Sequence, residues 1–182
     1  MAITQTKDKL KFNGDDMDIS YRTANIDDLD DIFGLVENAV KQLERDKIHQ
    51  WDSIYPTKED FRNDIKKDQL YVGTINDKIV VVYAVNKESD EQYKNGEWQY
   101  TGDNYNVIHR LCVSPDYQNK GIANTTLLHI ESKLRLLGIK AIRLDAFCEN
   151  PYSLKLYSNN GYHKVGITYW RKGKFYLMEK LI

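Results

Sequence analysis

The feature that most constrains this chain lies between Val107 and Leu137, where an apolar strand, a glycine turn and a long amphipathic helix follow one another without a linker. Val107, Leu111 and Val113 make the strand, and Ser114-Pro115-Asp116 ends it. Gln118, Asn119, Lys120, Gly121, Ile122 and Ala123 then lead straight into a helix. Its apolar residues, Ala123, Leu127, Ile130, Leu134 and Leu137, recur at helical spacing, and Gly138 stops it. The start of a helix exposes N–H groups without partners and a partial positive charge, so an anion is stabilised there. Gly121 permits close backbone approach or a positive φ, and Ala123 adds no bulk. The turn therefore reads as a cradle for a pyrophosphate that needs no salt bridge. The plainer alternative is a tight strand–helix turn.

Strands and helices alternate around this unit. Met17 to Thr23 reads as a first strand, and Asn25 as the cap of a helix running to about Lys47 on Ile26, Leu29, Phe33, Val36, Val40 and Leu43. Thr57 to Asp60 resembles a capping box opening a short helix with Phe61 and Ile65. Leu70 to Ile75 and Ile79 to Val85 form a hairpin through an Asn76-Asp77 turn. The second arm is apolar enough to be covered on both faces. Lys87 to Asn104 is polar yet carries Tyr93, Trp98 and Tyr100, and a connection of that length is commonly functional. No repeat or linker divides the chain, so residues 1–16 are expected to be a flexible tail and 17–182 one domain.

With 26 basic against 27 acidic residues, nothing favours nucleic acid or an anionic membrane as partner. Two cysteines are too few for a disulfide framework, and the first sixteen residues lack the apolar stretch of a leader. A reducing cytoplasm is the expectation, and no metal is called for.

The segment VSPDYQNKGIANTTLL resembles the acyl-CoA-binding motif of the GNAT superfamily, Q/R-x-x-G-x-G/A, with Ala123 in place of the commoner second glycine. The resemblance continues through IKAIRLDAFCENPYSLKLYSNNGYHKVG, and FYLMEKLI resembles the family's closing strand. It implies acetyl-CoA as cofactor and an acetyl group moved to a primary amine. It also implies a mixed, mostly antiparallel sheet with helices on both faces. Asn106–Val113 and Ala141–Phe147 would run parallel and splay apart to admit the pantetheine arm. Leu111, Cys112 and Val113 would contact that arm, and Gln118 to Asn124 (Asn119, Lys120, Gly121, Ile122 and Ala123 between them) would hold the phosphates. Asn150 stands where the family places a cofactor-contacting Asn. It also precedes Pro151, as a helix cap would.

Tyr157 stands where the resemblance implies a catalytic Tyr, donating a proton to the departing thiolate; by periodicity alone it is a core aromatic. The attacking amine must lose a proton, since a lysine-like amine is mostly ammonium at neutral pH. Asp145, where some family members carry a glutamate, and His109, which titrates nearest physiological pH, are the two candidates. Backbone carbonyls and water are the alternative to both. A covalent route through Cys112 is disfavoured: it reads as a small core hydrophobe, and His109 would face the opposite side of a regular strand.

Acceptor recognition falls to the variable parts. Gln50, Trp51 and Tyr55 in one segment and Trp98 in the insertion are the expected substrate-binding residues, with Asp52, Glu88, Asp90 or Glu91 to hold an ammonium. The bland reading makes the aromatics pins for their loops. HQW…YP with IHRL resembles a bacterial subgroup of the family, which names no substrate. A small cationic amine or a peptide amine is the expected acceptor, and a second copy of the chain is a candidate partner. A non-catalytic acyl-CoA-binding sensor is the alternative function; it would keep Gln118–Ala123 without needing Tyr157.

Overall fold

In a computed structural model, residues 8–10 and 18–182 are described. Of the expected tail, 1–7 and 11–16 lie outside the described residues. So does Met17, at the start of the expected first strand.

Strands β1 (Asp8–Leu10), β2 (Ile19–Thr23), β3 (Leu70–Ile75), β4 (Lys78–Asn86), β5 (Tyr105–Val113), β6 (Ala141–Phe147), β7 (His163–Trp170) and β8 (Gly173–Leu181) form one sheet. Its order is β1-β2-β3-β4-β5-β6-β8-β7. Every pair is antiparallel except β5 with β6. The helices are α1 (Leu29–Arg45), α2 (Lys58–Lys66), α3 (Ile122–Leu136) and α4 (Pro151–Asn159).

Alternation along β4, interrupted by a bulge at Val80, explains the layering. Val80, Val81 and Tyr83 join Leu127, Ile130 and Leu134 of α3 and Tyr157 of α4 in one core cluster. Val82 and Ala84 join Ile32 and Val36 of α1 and Phe61 of α2 in another. A strand buried on both faces reads as a continuous apolar run, as this one does. Each such side chain removed from water contributes ~1.5–3 kcal/mol, so the sheet is clamped between two helical layers.

The local signals act as their chemistry dictates. Thr57 and Asp60 close a reciprocal capping box on α2. Asn25 and Asp28 close another on a short 3-10 turn, Ile26–Asp28, so α1 itself begins three residues later than the periodicity suggests. Asn76 and Asp77 both have positive φ, the geometry of a two-residue hairpin turn.

Candidate functional site

β5 and β6 pair only over Tyr105↔Ala141, Asn106↔Ile142 and Val107↔Arg143, then part. Beyond Val107 the edge of β5 that faces β6 is unpaired with it, leaving a slot through the sheet. β5 also carries an extra residue. Val82 faces Cys112 and Ala84 faces His109, so three steps on β5 match two on β4. The surplus is taken up at Arg110, whose φ is 52°. This corrects the expected facing of His109: partners directly across a ladder share a side, so the bulge puts His109 on the same side as Cys112. Cys112 is buried, and burial pushes its thiol up to about 12, which suits a core residue rather than a nucleophile. The bulge aims Arg110 at α2, where Nε and Nη2 donate to Asp64 Oδ2 at 2.9 and 2.5 Å and Nη1 donates to the Tyr55 hydroxyl at 2.9 Å.

At the C-terminal end of β5 the chain turns into α3. Gly121 has φ 78° and Asn119 φ 60°. Thr125 N–H closes the first turn onto the Gly121 carbonyl at 3.0 Å, so the N–H groups of Ile122, Ala123 and Asn124 precede the helical ladder. Ile122 is buried and anchors the helix start, while Gln118 to Gly121 are exposed. A Cβ at Gly121 would meet no protein atom within 4 Å. Its vector points into open space beside a ring of donors, and that space suits a diphosphate. Lys120 is turned aside, with Nζ donating to the Asp116 carbonyl at 3.0 Å and lying over the Tyr117 ring.

On the other side of the slot lies a cavity of about 580 Å³. Gln50, Trp51, Tyr55, His109, Asp145 and Tyr157 line it, so four separated segments meet there. Burial pushes the Asp145 carboxyl up to about 6, against a hydrogen bond that Tyr93 donates to Oδ1 at 2.8 Å. Tyr157 is 8% exposed. Burial, then the nearby Asp145 charge, raise its pKa and keep the phenol protonated. None of the described hydrogen bonds uses its hydroxyl. His109 is held differently. Its Nε2 lies 3.0 Å from both Asn86 Oδ1 and the Glu88 carbonyl, two acceptors that call for an N–H. Burial, then Arg110, pull its pKa down to about 4, well below the near-physiological value expected of it.

Asn150 caps α4, accepting the N–H groups of Tyr152 and Ser153, and donates to Gln50 Oε1 at 2.8 Å. It thus ties the helix bearing Tyr157 to the segment bearing Trp51. Trp98 is placed elsewhere. It lies outside the cavity, stacked on Tyr93 and packed with Val107 and Leu177, which makes it a pin rather than a wall. The carboxylates expected to hold an ammonium also sort out. Asp52 is occupied by Arg171 and Lys172, and its bond to Arg171 holds its carboxyl well below the usual range. Glu91 pairs with exposed Lys94, and Glu88 with Lys67. Asp90 lines the cavity without a described ion pair. Sequence reasoning missed Tyr93, Arg110 and the Trp170-Arg171-Lys172 rim. Arg110 lies in the quoted IHRL stretch, but only its pairing with Asp64 reveals its direction.

Comparisons with known proteins agree with this geometry. A family model described as the Acetyltransferase (GNAT) family matches residues 37–162. No curated protein sequence matches the chain. Among solved structures, an assigned acetyltransferase from Staphylococcus aureus Mu50 is 32% identical, with 88% of this chain and 97% of that one covered and a TM-score of 0.71. A GNAT-family acetyltransferase from Streptococcus agalactiae 2603 has a TM-score of 0.82 at 22% identity, covering 90% and 95%. The PaiA N-acetyltransferase from Thermoplasma acidophilum, solved with coenzyme A, has a TM-score of 0.68 at 19% identity, covering 90% and 99%. The last two bear on the fold alone.

Proposed function

The chain belongs to the GNAT acetyltransferase family, an acyltransferase that uses acetyl-CoA to acetylate an amine, and from that premise we propose that a small cationic amine or an exposed peptide amine attacks the thioester directly, with no acyl-enzyme. The observation that carries this reading is the pairing of Asp145 and Tyr157 on the cavity wall where β5 and β6 part. A proton acceptor and a proton donor there serve opposite ends of one displacement. The diphosphate rests on the turn from Gln118 to Asn124, and the backbone of Leu111 to Val113 borders the arm.

The ammonium first gives up a proton, directly or through water, to Asp145, which is ionised above about pH 6. The amine nitrogen then bonds to the carbonyl carbon, and the carbon–sulfur bond breaks. The second proton on that nitrogen passes through water to the departing sulfur, giving amide and thiol, while Asp145 returns its proton to solvent. The departing thiolate meets Tyr157. A free thiol is the stronger acid of the two, near ~8.5 against ~10 for a phenol, so the phenol stabilises the thiolate by a hydrogen bond. Solvent can return any proton that crosses. His109 has no base role in this scheme: its Nε2–H is held by two acceptors, and burial, then Arg110, pull its pKa down to about 4, which leaves Nδ1 a weak base. Among the described residues, Asp90 and Asp145 are the cavity carboxylates in no ion pair, whereas Arg110, Arg171 and Lys172 are each paired. Trp51, Tyr55, Tyr93 and Trp170 give the π faces that favour a cation. Gln50 steadies the wall through Asn150.

A thiol-release assay over a panel of cationic amines and short peptides with free amino termini tests the assignment. Thiol release with stoichiometric acetylamide is the expected result for members of the panel. Tight acetyl-CoA binding with no turnover on any amine would overturn the acceptor class. Among the described residues, no helix is long and apolar enough to cross a membrane.

A further inference from the structure

Tyr93 belongs to the insertion between β4 and β5, in a short 3-10 turn over Glu91–Asn95. It is only 5% exposed, and its hydroxyl reaches Asp145 Oδ1. Trp98 stacks on the Tyr93 ring at 5.6 Å between centroids and donates its indole N–H to the Tyr93 carbonyl at 2.8 Å. The Arg143 guanidinium lies 4.3 Å from the Trp98 ring centre. Arg143 pairs with Glu179 of β8 inside the protein, and Glu179 accepts the N–H groups of Gln99 and Tyr100. The insertion is thereby fastened to β6 and β8 by a buried ion pair. Arg143 stands two residues before Asp145, on the same face of β6. The same strand therefore carries the anchor of the insertion and the carboxylate that the insertion touches.

We propose that Tyr93 is a positioning residue for the acetyl transfer, holding Asp145 by one oxygen and leaving the other to meet the proton of the acceptor amine. This rests on the reading of Asp145 as proton acceptor. No other side chain among the described hydrogen bonds touches that carboxylate. The insertion is then part of the working apparatus, through a residue that need not contact the acceptor at all.

The groups facing Asp145 determine the sign of the effect. Tyr93, Asp90 and Glu88 come from the insertion, His109 and Arg110 from β5, Tyr157 from α4, Tyr55 from the segment before α2, and Arg171 and Lys172, both paired with Asp52, from the turn before β8. Burial raises the Asp145 pKa, the Tyr93 bond and Arg110 lower it, and Asp90 raises it. Losing the Tyr93 hydroxyl removes a donor that favours the ionised form, so Asp145 holds its proton to higher pH. Losing the Asp90 charge does the reverse.

The experiment follows the Asp145 carboxyl by carbon NMR through a pH titration of the free enzyme, its signal assigned with Asp145→Asn. The pH dependence of kcat/KM is measured alongside, with the best amine of the panel. Tyr93→Phe keeps the stacked ring, and should move both the titration and the acid limb upward by ~1 pH unit. Asp90→Asn should move both downward. A carboxyl titration that stays put in Tyr93→Phe overturns the role of Tyr93 while leaving Asp145 as base intact. A titration that moves while the acid limb does not shows that Asp145 is not the base, and overturns both readings.

Discussion

The two ends of the slot between β5 and β6 are built by opposite means. At the α3 end the groups proposed to face the diphosphate are main-chain N–H donors, presented by a turn whose side chains are mostly exposed. At the cavity end they are side chains from the Trp51 segment, the insertion, β5, β6 and α4, with Asp145, Arg110 and Gln50 held by partners far away in sequence. A backbone cradle tolerates nearly any residue that keeps its φ angles, because its donors belong to the chain itself. A cavity of convergent side chains depends on every supporting contact. The first design suits a cofactor that never changes, and the second suits an acceptor that differs between enzymes.

The sharpest way to break this comparison is Gly121→Val. Gly121 has φ 78° and open space beyond a Cβ, so the variant strains the turn and fills the cradle. Calorimetric titration should show loss of acetyl-CoA affinity of at least ~10³-fold, given the cost of clash and strain together. Lys120→Ala, whose ammonium is already turned to Asp116, should cost under ~1 kcal/mol. Equal, small losses in both would place the diphosphate elsewhere.

Tyr157→Phe comes next. It should leave acetyl-CoA affinity intact and lower turnover by ~10²–10³-fold, the usual cost of removing one hydrogen-bond donor aimed at a developing anion. Unchanged single-turnover rates would reduce Tyr157 to its packing against Tyr162.

Trp51 and Trp98 separate wall from pin. Trp98→Ala removes a ring packed on Tyr93 and Arg143, and should cost ~3–5 kcal/mol, hence a melting temperature lower by roughly ten degrees. Trp51→Ala should raise the acceptor KM with a smaller loss of melting temperature, since that ring also rests on the α1 layer. The reverse pattern would mean that the acceptor sits under the insertion.

The smallest effect concerns Asp145 itself. Its folded pKa of about 6 lies above that of an unfolded aspartate, so stability is lost as pH rises from ~4 through 6. Asp145→Asn escapes that loss. Its melting temperature relative to the parent should rise across this window by the equivalent of up to ~3 kcal/mol, then level off. A flat difference would mean that the carboxyl titrates as it does in water.

The contrast also explains what could be read from the residues alone. The cradle is contiguous: strand, Gly121 and helix lie within some thirty residues, and each leaves a local mark in spacing or turn chemistry. The caps at Thr57 and Asn150 are local for the same reason. Asp145 was legible through the resemblance, at a position where some family members carry a glutamate. Its Tyr93 partner was not, because 52 residues separate them and a long-range contact imposes no period on either segment. Trp98 misled for a related reason. An aromatic in a polar insertion must be buried somewhere, but composition does not say against what. The pairing of Asp52 with Arg171, 119 residues apart, used up a carboxylate that looked available for an acceptor.

One further consequence follows from the surplus residue in β5. Along a strand, facing is a matter of parity: odd positions look one way and even positions the other. Arg110 changes that parity partway along, so Val107 and Ile108 are counted in one frame and Cys112 and Val113 in another. Deleting any single residue between Ile108 and Cys112 would restore a uniform count. Both arms would keep their facing, and what would be lost is the left-handed residue that aims Arg110 at Asp64. Length changes in the insertion preserve that count, because it ends before β5 begins. The loop proposed to shape the acceptor side can therefore grow or shrink without disturbing the Arg110 clamp, whereas the nine residues that follow it cannot.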